Sequence, residues 1–147
     1  WLTLGFLILT KDFAPDASSQ SLCGKCEKCI EKCPTKAITE PFVVNSESCI
    51  AYHNIENRNK TFPKHIEQNL NGWIAGCDIC QDVCPWNDSV PINKSMEAKP
   101  RKWMQDLSIE SLNWEEKEWE NNLRGTTLKR IKPWMWKRNI KAALNYS

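Results

Sequence analysis

Eight cysteines dominate the chemistry available to this 147-residue chain. Seven fall in two runs. The first is Cys23-x2-Cys26-x2-Cys29-x3-Cys33-Pro34, inside LCGKCEKCIEKCPTKAI at residues 22–38. The second is Cys77-x2-Cys80-x3-Cys84-Pro85, and Cys49 stands alone between them. Thiolates are soft ligands that suit zinc, copper(I) and iron–sulfur clusters. In oxidising surroundings the same residues pair as disulfides instead.

The spacing discriminates. The x2-x2-x3-Pro series is the pattern that bacterial ferredoxins use for [4Fe-4S] clusters, and it differs from the paired C-x2-C of zinc ribbons. A cubane needs four thiolates at the corners of a tetrahedron. A tight loop wraps one side with three, and the fourth must arrive from elsewhere. In the two-cluster arrangement the last Cys of each run ligates the other cluster. Applied here, one cluster takes Cys23, Cys26, Cys29 and Cys84. The other takes Cys33, Cys77 and Cys80, and Cys49 is the one thiol left to complete it. Zinc, a disulfide framework and a single filled cluster are competing readings of the same thiols. His53 and His65 are surplus to two filled cubanes and are expected to pack or to face solvent.

The elements around the thiols follow from their neighbours. Pro34 and Pro85 fix φ and turn the chain away from the cluster. The last Cys of each run is expected on a short helix that carries it to the partner cluster. Gly24 and Gly76 permit close approach of backbone to sulfur, where N–H groups tune cluster potential. Trp86 either lies over a cofactor or buries locally, and local packing is the expectation. Residues 1–13, WLTLGFLILTKDF, are apolar in the manner of a buried strand or turn–strand unit, and residues 14–21 form a linker. Residues 87–101 are a polar loop broken by Pro91 and Pro100.

Two helices are expected beyond it. Asn113 with Glu116 resembles a capping box, Trp119 and Leu123 line one face, and Gly125 ends the first helix. Thr126 or Thr127 starts the second, Pro133 interrupts or restarts it, and Trp136, Ile140 and Leu144 recur at helical spacing. The fold class expected is α+β, mostly helix and loop: a ferredoxin-like double-cluster domain with a small helical tail. The divisions are 1–21, 22–90 and 91–147.

Charge is nearly balanced, 20 Lys and Arg against 18 Asp and Glu. Its distribution is not. Beyond Glu120 the chain carries Arg124, Lys129, Arg130, Lys132, Lys137, Arg138 and Lys141 with no carboxylate. Such asymmetry raises the prior for a polyanion partner. The opening is too short to span a bilayer and lacks the marks of a signal peptide. A reducing, cytoplasmic setting and no membrane association are expected. The chain begins with Trp1 rather than Met and is expected to be the C-terminal part of something longer. It carries no glycine-rich phosphate loop and no apparent Ser-His-Asp set. The residues by themselves therefore describe an electron conduit.

Four stretches carry a family resemblance: CGKCEKCIEKCPTKAI, EPFVVNSESCIAYHNIE, GWIAGCDICQDVCPWN and LRGTTLKRIKPWMWKRNIKAAL. Together they resemble the C-terminal half of the epoxyqueuosine reductases. The resemblance implies a preceding cobalamin-binding domain, of which residues 1–21 would be a remnant and linker, then a double [4Fe-4S] domain and a helical region. It implies that clusters pass single electrons to cobalamin, whose reduced cobalt acts on the epoxide of epoxyqueuosine in tRNA to give queuosine. It implies an external low-potential donor, a monomer, and a tRNA anticodon arm on a basic surface, for which Lys129, Arg130, Lys137 and Arg138 are candidates. The family's catalytic acid and most cobalamin contacts belong to the preceding domain. No catalytic residue is therefore expected in this chain, and alone it should be inactive. His53 and Asn54 depart from the family's commoner threonine-containing form. Two other readings stay open: a stand-alone ferredoxin-like carrier or cluster subunit of another cobalamin-dependent reductase, and an RNA-binding protein with structural clusters.

Overall fold

Most helices described in this chain run to one or two turns. The computed structural model describes residues 4–96, 99–105, 111 and 113–144. Helix α1 (Lys28–Lys32) carries Cys29 and ends at Cys33, which is extended with ψ 112°. Helix α4 (Ile79–Asp82) carries Cys80, and Cys84 beyond it is extended at φ −74°, ψ 120°. The last Cys of each run thus sits just past a helix rather than on one. The reason is the following proline, whose ring crowds the preceding residue out of the helical region. The two helices pack against each other.

Between them, β1 (Ile38–Glu40) and β2 (Val43–Val44) form an antiparallel hairpin, with Ile38 opposite Val44 and Glu40 opposite Val43. A 3₁₀ turn at Ser46–Ser48, capped by the Asn45 side chain accepting from Glu47 N–H at 3.1 Å, delivers Cys49 to the head of α2 (Ile50–Ile55). Helix α3 (Lys64–Glu67) follows Pro63. The fold is mostly helix and loop with one two-stranded sheet.

The tail contains α5 (Lys102–Gln105), α6 (Glu116–Leu123) and α7 (Pro133–Leu144). Helix α6 is capped at Glu115, whose N–H donates to Glu118 Oε2 at 3.1 Å, and not at Asn113. Trp114 explains the shift: its ring stacks on Trp136 at 5.9 Å, so the helix starts only after it. Gly125, at φ 69°, ends α6 in the left-handed region open to glycine. Pro133 opens α7, where its missing N–H costs nothing.

Two apolar cores meet on α7. Trp119, Leu123, Ile131, Met135, Trp136 and Ile140 form one, edged by Trp103 and Trp114. Ile50, Phe62, Ile66, Leu70 and Ala142 form the other, with Trp73 and Cys77 against it. The expected stripe of α7 holds at Trp136 and Ile140 but not at Leu144, which is 44% exposed at the helix end. The opening departs further from its reading. Residues 4–13 contain no strand and are exposed. Residues 1–3 of that stretch lie outside the described residues. Among the described residues no helix is long and apolar enough to cross a membrane.

Candidate metal centre

Cys33, Cys49, Cys77 and Cys80 line one cavity of about 310 Å³. The chain reaches it four times: at the end of α1, at the head of α2, in the loop before α4 and in α4 itself. Ala37, Ile38, Val44, Ile50 and Ile79 supply its apolar wall. All eight thiols are free and half-buried.

The thiols differ in their surroundings. Burial pushes Cys33 upward, yet its hydrogen bonds outweigh that, and its pKa lies below the ordinary thiol value. Ala37 N–H donates to Cys33 Sγ at 3.2 Å, and the Thr35 hydroxyl lies 3.7 Å away. Cys77 and Cys80 are pushed up, first by burial and further by the neighbouring thiols, Cys49 and Cys33 among them. The neighbouring thiols add to the effect because like charge disfavours ionisation.

The donor set suits a polynuclear cluster. Among the described residues no three His, Cys, Asp or Glu side chains converge tightly enough for a single ion. Four thiols instead face a cavity of polyatomic size, with an N–H already on one sulfur. A cubane stands between its ligands and keeps them further apart than one ion does.

The other predicted set is Cys23, Cys26, Cys29 and Cys84. Cys26 N–H donates to Cys23 carbonyl at 3.2 Å, closing a turn in which Gly24 takes φ 58°. Cys29 follows in α1, and its charge reaches Cys80 across the α1–α4 contact. Trp86 Nε1 donates to Leu22 carbonyl at 3.2 Å, which ties the turn after Cys84 to the residue before Cys23. Trp86 itself is 63% exposed, so the expected local burial does not occur. Its place on the short 3₁₀ turn Pro85–Asn87 gives it nothing to pack under.

Two buried asparagines position the second run, and the residue-by-residue reading of the sequence missed both roles. Asn54 Nδ2 donates to Gly76 carbonyl at 2.7 Å while Gly76 N–H donates to Asn54 Oδ1 at 2.9 Å. One side chain thereby clamps both polar groups of the residue before Cys77. Gly76 itself stands at φ 75°. Asn139 Nδ2 donates to Asn54 carbonyl at 2.7 Å and to Ile74 carbonyl at 2.8 Å. A signal was present: Asn54 lies four residues after Ile50, and Asn139 three after Trp136, so each shares a helix face with a core residue. His53 is a packing histidine. Its Nδ1 accepts from Asn57 Nδ2 at 2.8 Å, which leaves Nε2–H to donate to Glu47 carbonyl at 2.7 Å. His65 is exposed on α3.

The four basic candidates fare unequally. Arg130 makes a two-point ion pair with Glu56, at 2.6 and 2.8 Å. Lys129 pairs with Glu120 at 2.6 Å. Arg138 turns inward and donates to the carbonyls of His53, Asn57 and Asn59. Backbone acceptors and Asn139 already engage its guanidinium. Lys137 is exposed.

Residues 22–87 match the family described as a 4Fe-4S double cluster binding domain. The particular resemblance is to epoxyqueuosine reductases. The chain is 49% identical over 142 residues to one from Prochlorococcus marinus (strain NATL2A), covering 95% of the chain and 46% of that protein. A second, from Synechococcus sp. (strain CC9605), is 49% identical over 145 residues, covering 97% and 45%. The chain thus spans about half the length of the curated relatives it matches. A solved epoxyqueuosine reductase of Bacillus subtilis superposes with TM-score 0.78 at 25% identity, over 91% of this chain and 36% of that one. Another, solved with a tRNA-Tyr epoxyqueuosine-modified tRNA stem loop, gives TM-score 0.79 at 25% identity over the same shares. The family resemblance carried by the motifs extends through nearly the whole chain.

Proposed function

We propose that this chain is the iron–sulfur electron-transfer part of a cobalamin-dependent tRNA epoxyqueuosine reductase, acting in a reducing cytoplasm as part of a monomer. The observation that carries the reading is the cavity lined by Cys33, Cys49, Cys77 and Cys80 in a chain so similar to those reductases. Such clusters supply one-electron transfer, commonly at low potential.

The chain's own residues do the holding and the tuning. Cys23, Cys26, Cys29 and Cys84 hold one cluster in ferredoxin fashion, and Cys33, Cys49, Cys77 and Cys80 hold the other. Ala37 N–H directs partial positive charge at the Cys33 sulfur, and the apolar wall limits water. Electrons enter from an external low-potential donor. Cobalamin is held mainly by residues of the whole reductase outside this chain, and the anticodon arm of tRNA is the partner.

Anaerobic reconstitution tests this. About eight irons and eight sulfides per chain are expected from the ligand count, with reversible reduction at low potential. Zinc alone, or a single cluster, would overturn the ligand sets. Given cobalamin and an epoxyqueuosine-bearing stem loop, the chain by itself is expected to form no queuosine. Product would show that the catalytic groups lie within these residues after all.

A further inference from the structure

A second cavity, of about 430 Å³, lies between α7 and the segment before α3. Trp134, Lys137, Arg138 and Lys141 face it from α7, at the i, i+3, i+4 and i+7 spacing of a single helix face. Lys60 and Phe62 face it from the other side. Four cations therefore surround a concavity whose lining includes one carboxylate, Glu67.

Arg138 is the fixed member. Its guanidinium lies 4.2 Å over the Phe62 ring, and its hydrogen bonds go to neutral acceptors. Burial, with Arg58 nearby, lowers its pKa to about 10, still charged at neutral pH. The charge is thus held in place without a carboxylate on its donors. Lys137 and Lys141, four apart on one helix, repel each other. Lys60 Nζ stands 4.0 Å over the Trp134 ring. A solvated helix face would spread such charges outward. Here two segments turn them toward one hollow, beside an aromatic wall. Four cations around one hollow give it a positive potential that an anion complements.

We propose that this cavity seats a backbone phosphate of an RNA strand, a reading that rests on tRNA being the partner. Lys60, Lys137 and Lys141 make the contacts, as mobile ammonium groups that meet a phosphate as point charges. Arg138 supplies fixed positive potential from beneath. The volume falls within the roughly 300–1,000 Å³ usual for ligand sites. The site differs from the Lys129 and Arg130 surface, whose charges are already paired.

The test is binding of a short RNA stem loop by the full chain with its clusters reconstituted, read by fluorescence anisotropy across salt concentrations. The double variant Lys60→Ala, Lys141→Ala is expected to bind about tenfold more weakly at low salt. The slope of log affinity against log salt should fall by about 2, about 1 for each lysine. Replacing the same two lysines by arginine keeps the charge and should keep the binding. Lys117→Ala, at an exposed position on α6, should change neither quantity. If the double alanine variant binds like the wild type, or Lys117→Ala weakens binding as much per charge, the site is overturned while the tRNA partnership stands. If the wild-type chain shows no salt-dependent affinity for the stem loop, site and partnership fall together.

Discussion

The two cysteine runs share a spacing and a closing proline, yet the protein secures them by different means. The segment before Cys77 is clamped at Gly76 by Asn54, and Asn139 of α7 locks both Asn54 and Ile74. Both asparagines are fully buried, and their helix neighbours Ile50 and Trp136 belong to the two apolar cores. The segment before Cys23 has no such seat. Leu22 is exposed, and an exposed hydrogen bond from Trp86 ties it across to the second run. Local spacing sets which atoms are offered to a cluster. The rigidity of the offer comes from what lies behind the loop, and that differs between the halves.

The largest effect is expected from Cys49→Ser. Iron should fall from about eight to about four per chain, with the signal of the cluster held by Cys23, Cys26, Cys29 and Cys84 retained. Iron analysis with electron paramagnetic resonance reads it. Equal loss of both signals in a folded protein would break the separation between the sites.

Asn54→Ala comes next. It strips both partners from Gly76, and a buried unsatisfied group costs about 1–3 kcal/mol. A lower unfolding midpoint in denaturant is expected, together with selective weakening of the cluster at Cys77. If both clusters weaken alike, the clamp serves the whole fold rather than one site.

Trp86→Ala should matter less, by about 0.5–1.5 kcal/mol, the net worth of one ordinary hydrogen bond. Its signature is direction: faster oxidative loss of the cluster at Cys23, with the other unchanged. Loss at the Cys77 side instead would reverse the comparison.

Glu56→Gln is expected to be the smallest. The Arg130 side chain hydrogen-bonds Glu56 and holds its carboxyl below the ordinary range. A depressed carboxylate stabilises the fold above its unfolded pKa, and that contribution disappears as pH falls through the folded value. The variant should therefore lose a little stability near neutral pH and show a flatter acid limb in thermal unfolding. Exposure of the pair keeps the effect slight. An unchanged acid limb would remove this pair from the bracing of α2.

Much of the site was legible early because it is local. The cysteine spacing and the glycine that ends α6 are constrained by neighbours a few positions away. Trp136 and Ile140 were legible for the same reason, through helical periodicity. The Glu115 cap was not, because Trp114 answers to Trp136 across the core. The opening apolar stretch reads as a strand by composition, yet residues 4–13 form none and stay exposed.

The sequence by itself determined the number of thiols, their grouping and the chemistry they offer, since side-chain type and short-range sterics are written residue by residue. Only the tertiary structure decided that Cys49 faces the same cavity as Cys33, Cys77 and Cys80. It alone separated the basic residues, committing Arg130 to Glu56 across 74 positions and Arg138 to the His53 carbonyl across 85. Those commitments are matters of distance and desolvation. Charges that look alike along the chain become different once each has found, or lacks, a partner brought near by folding.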